Sequence, residues 1–162
     1  MYNVAIITAS DKGYAGERED KSGSVIEEIV TAHELEVTGK VILPDDRQIL
    51  SDQMLNYCHQ GIDLILTTGG TGFSKRDVTP EATADIVERR ADNLTFAMIA
   101  NSLQYTPKAM LSRGIAGIRE NTLIVNLPGS PKAVRENLEY AIDAIIHGVK
   151  ILKGDDAECA RK

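Results

Sequence analysis

The sequence predicts an α/β fold of three layers, in which helices cover both faces of a doubly wound, mostly parallel, Rossmann-like sheet. Short runs of β-branched and other apolar residues alternate with longer stretches of helical spacing, which is typical of parallel βαβ units. The clearest short run, 63–68, leads directly into a glycine-rich loop. In such folds the loops at the carboxyl ends of the strands form the expected ligand face.

The first half of the chain alternates regularly between strand and helix patterns. The first strand is almost continuously apolar from Val4 to Ile7, as expected for a strand covered on both faces. The second helix places Leu50, Met54 and Cys58 on one apolar stripe. The predicted elements, in order, are a strand at Asn3–Ala9, a long polar loop at 10–21, a helix at 22–33, a strand at 34–43, a helix at 46–60 and a strand at 63–68.

The second half begins with a strong helix start. Thr79 is a candidate N-cap, Pro80 suits the first helical position, and Glu81 suits the positive end of the helix dipole. The predicted elements are a helix from 79 to about 90, a helix at 94–104, an irregular segment at 107–117, a strand at Thr122–Leu127 and a long final helix that begins after a Pro-Gly-Ser-Pro turn.

Length and composition indicate one globular domain, residues 1–153, followed by a polar tail, 154–162. The net charge of −6 argues against nucleic acid and anionic membranes as partners. No apolar run is long enough to cross a bilayer, and the N-terminus has no signal-peptide pattern, so we expect a cytoplasmic protein. The two cysteines, Cys58 and Cys159, lack the spacing of a metal site.

Three predicted strand ends carry loops that differ from ordinary connectors. Because parallel strands point their carboxyl ends to one side, these loops could converge, and glycine N–H groups with threonine and serine hydroxyls could bind an anion. The loops contain Ser10 and Asp11, then Gly69, Gly70, Thr71 and Gly72, and finally Pro128, Gly129 and Ser130.

The glycine run has two interpretations. It could be only a tight turn after a strand, but Lys75, Arg76 and Asp77 follow at once. Cations could hold phosphate oxygens, and Asp77 could hold Mg²⁺, which typically binds through one or two carboxylates plus substrate phosphates. The structural alternative for Asp77 is a solvated carboxylate favoured by a nearby helix dipole.

Two further positions have a functional and a structural interpretation. Asp45 and Asp46 follow Pro44 at another strand end, where Asp45 is the better candidate for metal or substrate and Asp46 is equally well an N-cap. Ser22 and Gly23 open the first helix, where backbone N–H groups could bind a phosphate, although Ser22 could also be a plain N-cap.

Several catalytic motifs are missing from the sequence. There is no Walker-type P-loop and no Gly-x-Gly-x-x-Gly after the first strand, which disfavours a nicotinamide-dependent oxidoreductase. No serine lies in a nucleophile elbow. The three histidines, His33, His59 and His147, fall on predicted helices away from the three loops, which disfavours histidine catalysis.

The segment 66–83 closely resembles the signature of the molybdenum-cofactor biosynthesis domain family, whose molybdopterin-binding fold agrees with the predicted sheet. Within that family the match looks most like the adenylyltransferases of the G-domain type. The resemblance extends to about residue 153 through Ser10-Asp11, Asp20-Lys21-Ser22-Gly23, Pro44-Asp45-Asp46, Thr106-Pro107, 109–113 and 126–131.

The resemblance implies a reaction of molybdopterin with ATP that needs Mg²⁺ and gives adenylyl-molybdopterin and pyrophosphate. It also implies a homotrimer and a downstream molybdotransferase, and it places catalysis and metal binding on Asp77 and Asp45. The roles of Lys75, Arg76 and Ser130, the nucleotide selectivity and the choice of molybdenum or tungsten stay open. The candidate substrate-binding residues are Ser10, Asp11, Ser22, Gly23, Gly69, Gly70, Thr71, Gly72, Ser112, Arg113, Pro128, Gly129 and Ser130.

Two other functions known for proteins with this domain are alternatives to adenylyl transfer. A non-enzymatic member of the superfamily would bind or carry molybdopterin without adenylyl transfer, and the complete 79–83 segment with Asp45 and Asp77 disfavours that alternative. A molybdotransferase shares the domain but needs further domains that 162 residues do not accommodate.

Overall fold

A computed structural model describes residues 1–155, and within them the chain forms a single six-stranded sheet with helices on both faces. The strands are β1 (Asn3–Ala9), β2 (Glu36–Leu43), β3 (Leu64–Thr68), β4 (Arg89–Arg90), β5 (Ala116–Arg119) and β6 (Thr122–Leu127). The helices are α1 (Asp11–Tyr14), α2 (Lys21–Ala32), α3 (Arg47–His59), α4 (Thr79–Ala84), α5 (Asp92–Ser102) and α6 (Pro131–Lys153), with a 3-10 helix at Pro107–Leu111.

The strand order is β2-β1-β3-β6-β5-β4. The pairs β1–β2, β1–β3 and β3–β6 are parallel, whereas β5 runs antiparallel to β6 and β4 antiparallel to β5. Every residue of β3 and β6 is buried, as predicted for central strands covered on both faces. The α/β class and the mostly parallel, doubly wound sheet are therefore confirmed.

The core consists of two apolar clusters, one on each face of the sheet. Successive β1 residues alternate between them because a strand has a side-chain period of two: Val4 and Ile6 join one cluster, and Ala5 and Ile7 join the other. The first cluster includes apolar residues of α2, α5 and α6, and the second includes those of α3 and α4.

The predicted helix from 79 to about 90 is too long. The observed helix α4 ends at Ala84, and the chain leaves it to form the edge strand β4. The Glu88 N–H donates to the Ile118 carbonyl at 2.9 Å, and Arg89 then pairs with Ile118 across the sheet. The pairing partner, β5, lies partly within the predicted irregular segment 107–117 and partly beyond it. Helix propensity after Ala84 gives way here to a long-range strand pairing.

The ends of the other elements depend on local caps. Asp46 is the N-cap of α3, because its side chain accepts a hydrogen bond from the Ile49 N–H. Ser22 is not a cap, because Asp20 accepts from the Gly23 N–H at the start of α2. Part of the polar loop at 10–21 forms α1.

Cys159 and most of the predicted polar tail, 154–162, lie outside the described residues. Within the described residues, Cys58 is a buried free thiol on α3. No helix of this part of the chain has both the length and the apolar content needed to cross a membrane.

Candidate active site

The loops that follow β1, β2, β3 and β6 meet at one rim of the sheet, because these four strands are parallel. Thr68 Oγ1 donates to the Pro128 carbonyl at 2.6 Å, which joins the loops after β3 and β6. Ser22 Oγ donates to the Gly129 carbonyl, also at 2.6 Å, which adds the start of α2. The structure therefore brings the three loops singled out in the sequence together.

The glycine loop after β3 has a backbone that larger residues would strain. Gly69 and Gly70 have φ angles of 87° and 69°, in the left-handed region. A Cβ on Gly69 would lie 2.3 Å from the Ala9 carbonyl oxygen. Thr79 fixes the loop from the other side, since its N–H donates to the Gly70 carbonyl and its Oγ1 to the Gly69 carbonyl. Thr79 was predicted as the N-cap of α4, and this is wrong because its hydroxyl bonds to the glycine loop instead.

Arg113 also binds this loop through main-chain carbonyls. Its N–H donates to the Thr71 carbonyl, its Nε to the Gly72 carbonyl, and a terminal nitrogen to the Asp77 carbonyl, all at 2.8 Å. Its other terminal nitrogen forms an ion pair with Glu81. In the described structure the guanidinium of Arg113 therefore supports the segment that carries Asp77.

Asp45 and Asp11 hold each other through main-chain and side-chain atoms. The Asp11 N–H donates to Asp45 Oδ2, and the Asp45 N–H donates to Asp11 Oδ1, each at 3.0 Å. Arg76 donates to both oxygens of Asp11, again at 3.0 Å. These contacts lower the pKa of Asp11, and the hydrogen bond from Arg76 has the largest effect.

The other oxygen of the Asp45 carboxylate, Oδ1, is buried and has no hydrogen-bond partner among residues 1–155. Burial raises the pKa of Asp45, and the negative charges of Asp11 and Asp77 raise it further, against a hydrogen bond from the Asp11 amide. A Cβ on Gly70 would lie 3.2 Å from this oxygen. Asp45 therefore presents a carboxyl oxygen without a partner against the glycine loop.

Asp77 is half-buried and is held by its own loop. Its Oδ2 accepts a hydrogen bond from the Ser74 N–H at 3.0 Å. The same oxygen would lie 2.8 Å from a Cβ on Gly72, so the carboxylate packs directly on the glycine run. The carboxylate of Asp77 therefore lies beside the glycine run that precedes it in the sequence.

Two cavities open at this rim and share part of their walls. One has a volume of about 420 Å³ and lies between the glycine loop, α5, the 3-10 helix and α6. The other, of about 800 Å³, lies between the glycine loop and the starts of α2 and α6. Gly70, Asp77 and Gly129 line both cavities. Molecules bound in the two cavities would therefore meet beside Asp77.

Ten of the thirteen predicted substrate-binding residues line one or both cavities. The other three, Asp11, Gly23 and Arg113, line neither cavity and make contacts that shape the rim. The smaller cavity is lined by Gly70, Thr71, Gly72, Ser112, Pro128 and Gly129, and the larger one by Ser10, Ser22, Gly69, Gly70, Gly129 and Ser130.

Six charged residues that line the cavities were not singled out individually in the sequence, namely Arg18, Glu19, Asp20 and Lys21 in the larger cavity and Lys108 and Glu136 in the smaller one. Asp20 lies in the larger cavity, where it accepts from Thr8 Oγ1 at 2.9 Å while capping α2. Arg18 and Lys21 line the same cavity, and Lys108 lines the smaller one. An aspartate before an apolar helical run is a helix-start signal that could have identified Asp20, whereas the cations lie in segments without periodicity.

The residues present fit a divalent cation that is shared with a phosphate ligand. Within residues 1–155 no group of three or more His, Cys, Asp or Glu side chains is arranged to hold a metal by itself. Mg²⁺ commonly needs only one or two carboxylates together with substrate phosphates. Asp45 Oδ1 is a buried carboxylate oxygen without a partner, and the charge of Asp77 acts on it.

Comparison with known proteins identifies relatives whose names refer to molybdopterin, together with gephyrin. The family model described as "Probable molybdopterin binding domain" matches residues 5–147. A molybdopterin adenylyltransferase from Helicobacter pylori is 38% identical, over 94% of this chain and 89% of its own length. Gephyrin from Dictyostelium discoideum is 41% identical over 92% of this chain, which spans only 22% of the length of gephyrin.

A solved structure of a molybdopterin biosynthesis enzyme has the same fold. The molybdopterin biosynthesis enzyme MoaB from Thermus thermophilus is 42% identical and superposes with a TM-score of 0.90. The match covers 95% of this chain and 98% of the MoaB chain.

Proposed function

The chain belongs to the family of probable molybdopterin binding domains, and we propose that it is a molybdopterin adenylyltransferase, which activates molybdopterin with ATP and releases pyrophosphate. The observation that carries this proposal is the pair of cavities that share the walls formed by Gly70, Asp77 and Gly129. An enzyme that joins two substrates needs such an arrangement, whereas a carrier of one ligand needs a single cavity. The adenylyltransferase from Helicobacter pylori supports it, because the match covers 89% of that enzyme.

The chemistry consists of one displacement at phosphorus. An oxygen of the terminal phosphate of molybdopterin attacks the α-phosphorus of ATP, and a new P–O bond forms. The bond from the α-phosphorus to the oxygen that bridges the β-phosphorus breaks, and pyrophosphate leaves with that oxygen and its electron pair. The attacking phosphate is already an anion, so no strong base is required. This agrees with the cavity walls, since no histidine lines either cavity.

The main difficulty is to bring two anions together, so positioning and charge neutralisation supply most of the catalysis. The glycine loop and the starts of α2 and α6 line the larger cavity, where the positive ends of the helix dipoles favour an anion. Arg18 and Lys21 add positive charge in the larger cavity, and Lys108 adds it in the smaller one. Carboxylates outnumber these cations in both linings, so a bound divalent cation would have to balance the phosphate charge; they are Glu19, Asp20, Asp45 and Asp77 in the larger cavity and Asp77 and Glu136 in the smaller one.

We assign the carboxylates of Asp45 and Asp77, which both line the larger cavity, to hold Mg²⁺ beside the glycine loop. A bound Mg²⁺ would neutralise phosphate charge and keep the reacting oxygens in line. Asp45 contributes through Oδ1, which has no other partner within the described residues. Asp77 contributes from the loop that lines both cavities. Asp11 fixes the second oxygen of Asp45 and thereby orients the first.

The test is incubation of the protein with molybdopterin and Mg-ATP, followed by detection of adenylyl-molybdopterin and pyrophosphate. The Asp77→Asn variant should react about 10²–10³ times more slowly, as when a single electrostatic contact to a transition state is lost, and should still bind molybdopterin. Asp143→Asn removes the same charge from the exposed surface of α6 and should leave the rate unchanged.

Two results would contradict this assignment. An unchanged rate in Asp77→Asn would remove Asp77 from the reaction. A wild-type protein that binds molybdopterin but forms no product would instead be a carrier.

We further propose that the chain acts as a homotrimer in the cytoplasm, where ATP is available, and passes its product to a molybdotransferase. Exposed large apolar side chains on and after α5, among them Phe96, Leu103 and Met110, support an interface between copies. Light scattering during gel filtration should give about three times the chain mass of 17.6 kDa.

A further inference from the structure

Arg76 immediately precedes Asp77, and its guanidinium contacts a different loop. It donates from Nε to Asp11 Oδ2 and from a terminal nitrogen to Asp11 Oδ1, both at 3.0 Å. This two-pronged pairing is the strongest geometry available to an arginine and a carboxylate. Although 64% of the Arg76 side chain is exposed, its orientation is fixed by two parallel hydrogen bonds rather than by one.

Asp11 carries this contact to Asp45. Its Oδ1 accepts a hydrogen bond from the Asp45 N–H as well as from Arg76, and its own N–H donates to Asp45 Oδ2. The carboxylate of Asp11 thus fixes the main chain of Asp45, and the main chain of Asp11 fixes the carboxylate of Asp45. We call this set of contacts the Arg76–Asp11–Asp45 bridge.

The bridge joins the two loops that carry the proposed metal-binding carboxylates. One end is the chain neighbour of Asp77, and the other end is Asp45, whose Oδ1 is left unpaired and buried. The Asp77 carboxylate is also held by the Ser74 N–H, so loss of the bridge would chiefly let the loop of Asp45 move relative to Asp77. Outer partners of this kind commonly determine how tightly a metal site binds.

We propose that Arg76 and Asp11 are positioning residues, which fix the separation and direction of the Asp45 and Asp77 carboxylates for a divalent cation, and this rests on the proposed function of those two residues. Arg76 acts through Asp11 rather than by contacting a phosphate itself. A direct phosphate contact is the competing role, since the guanidinium lies on the same loop as Asp77.

A double-mutant cycle separates the two roles. If Arg76 acts through Asp11, then Arg76→Ala, Asp11→Ala and the double variant all weaken the same step by a similar factor. If Arg76 binds phosphate directly, Asp11→Ala frees its guanidinium, and removing Arg76 in that background causes a further loss. Lys75→Ala is the matched control, because Lys75 is the adjacent exposed cation and makes none of the bridge contacts.

The first readout is the affinity for Mn²⁺ in the presence of a non-hydrolysable ATP analogue. The electron paramagnetic resonance signal of Mn²⁺ measures this binding. Loss of the bridge should weaken Mn²⁺ binding by about 10-fold or more, the usual cost of losing an outer partner of a metal site. Lys75→Ala should change it less than about 2-fold, as expected for a solvated surface charge. Arg76→Lys should recover only part of the affinity, because lysine has a single-point charge instead of a fork.

The second readout is the Mg²⁺ concentration that half-saturates adenylylation, which should rise by the same factor as the Mn²⁺ dissociation constant. Urea unfolding of each variant checks that it folds. If an alanine variant does not fold, the Mn²⁺ affinity of Arg76→Lys is compared with that of the wild type instead. The positioning role would be overturned if the losses of Mn²⁺ affinity in Arg76→Ala and Asp11→Ala added up in the double variant. It would also be overturned if these variants bound Mn²⁺ as tightly as the wild type. If the Mn²⁺ affinity depends on the bridge as expected but the wild-type protein makes no product, the proposed function is refuted while the positioning role stays supported.

Discussion

Substitution of Gly70 by alanine tests how the glycine loop and Asp45 depend on each other. Gly70 has a φ of 69°, and an added Cβ would lie 2.3 Å from Thr79 Oγ1 and 3.2 Å from Asp45 Oδ1. The first distance is far too short, so the Thr79 side chain must move. That movement breaks its hydrogen bond to the Gly69 carbonyl.

The magnitude follows from these contacts. A left-handed backbone costs an alanine about 1–2 kcal/mol relative to glycine. The lost hydrogen bond from Thr79 adds about 1 kcal/mol. We therefore expect Gly70→Ala to lower the free energy of unfolding by about 2–3 kcal/mol. The rate of adenylylation should fall about 10²-fold, because small displacements of a group that positions substrates have effects of that size.

The assay combines urea unfolding with the rate of adenylylation, and Gly61→Ala is the matched control. Gly61 has a φ of 78°, but a Cβ there would meet no atom within 4 Å. The control therefore has the backbone cost alone and should keep its full activity. If Gly70→Ala proved as stable and as active as Gly61→Ala, the contacts around Gly70 would not matter as argued.

Two further predictions concern the pH dependence of stability. Burial raises the pKa of Asp45, so the folded state loses stability as the pH rises from the usual aspartate value of 3.8 through the raised one. Asp45→Asn should remove this loss and raise the urea midpoint at pH 7, while abolishing metal-dependent activity. Burial alone would raise the pKa of Glu81, but its pairing with Arg113 outweighs burial and lowers the pKa. The pair therefore stabilises the folded state at pH values above 4.5, the usual pKa of glutamate. This stabilisation is lost as the pH falls through the lowered pKa. Glu81→Gln should flatten that acid limb in urea unfolding, and an unchanged slope would contradict the pairing.

Local patterns were enough to predict most of the sheet and the position of its functional rim. The central strand β3 and the run at Thr122–Leu127 are continuous apolar segments, which determines both that they are strands and that they are buried. Because parallel strands end on one side, the predicted loops could converge. The hydrogen bond from Thr68 to Pro128 joins two of them, and the larger cavity is lined by all three.

The features missed by sequence reasoning depend on contacts between distant residues. β4 exists because the chain at Arg89 pairs with Ile118, and no local periodicity encodes that pairing. β5 pairs over its whole length with the neighbouring strand β6 and was missed because it is short. Thr79 has the sequence context of an N-cap, yet its hydroxyl bonds to the Gly69 carbonyl ten residues earlier. The contact between Arg76 and Asp11 spans 65 residues, so adjacency in the sequence associates Arg76 only with Asp77.

Most polar groups at the rim already bond to the protein itself, and this bears on how the site works. Asp11, Thr68 and Ser22 each join two loops, so the rim is fixed before any ligand binds. Of the three buried side-chain atoms without a partner among residues 1–155, Asp45 Oδ1 is the one whose residue lines one of the two cavities. An unpaired buried carboxylate oxygen is costly, and the surrounding hydrogen bonds hold it in place despite that cost. A rim held by these hydrogen bonds, with the Asp45 oxygen left without a partner, is suited to a cation shared with phosphates, since a preorganised site needs little reorganisation when the charges meet.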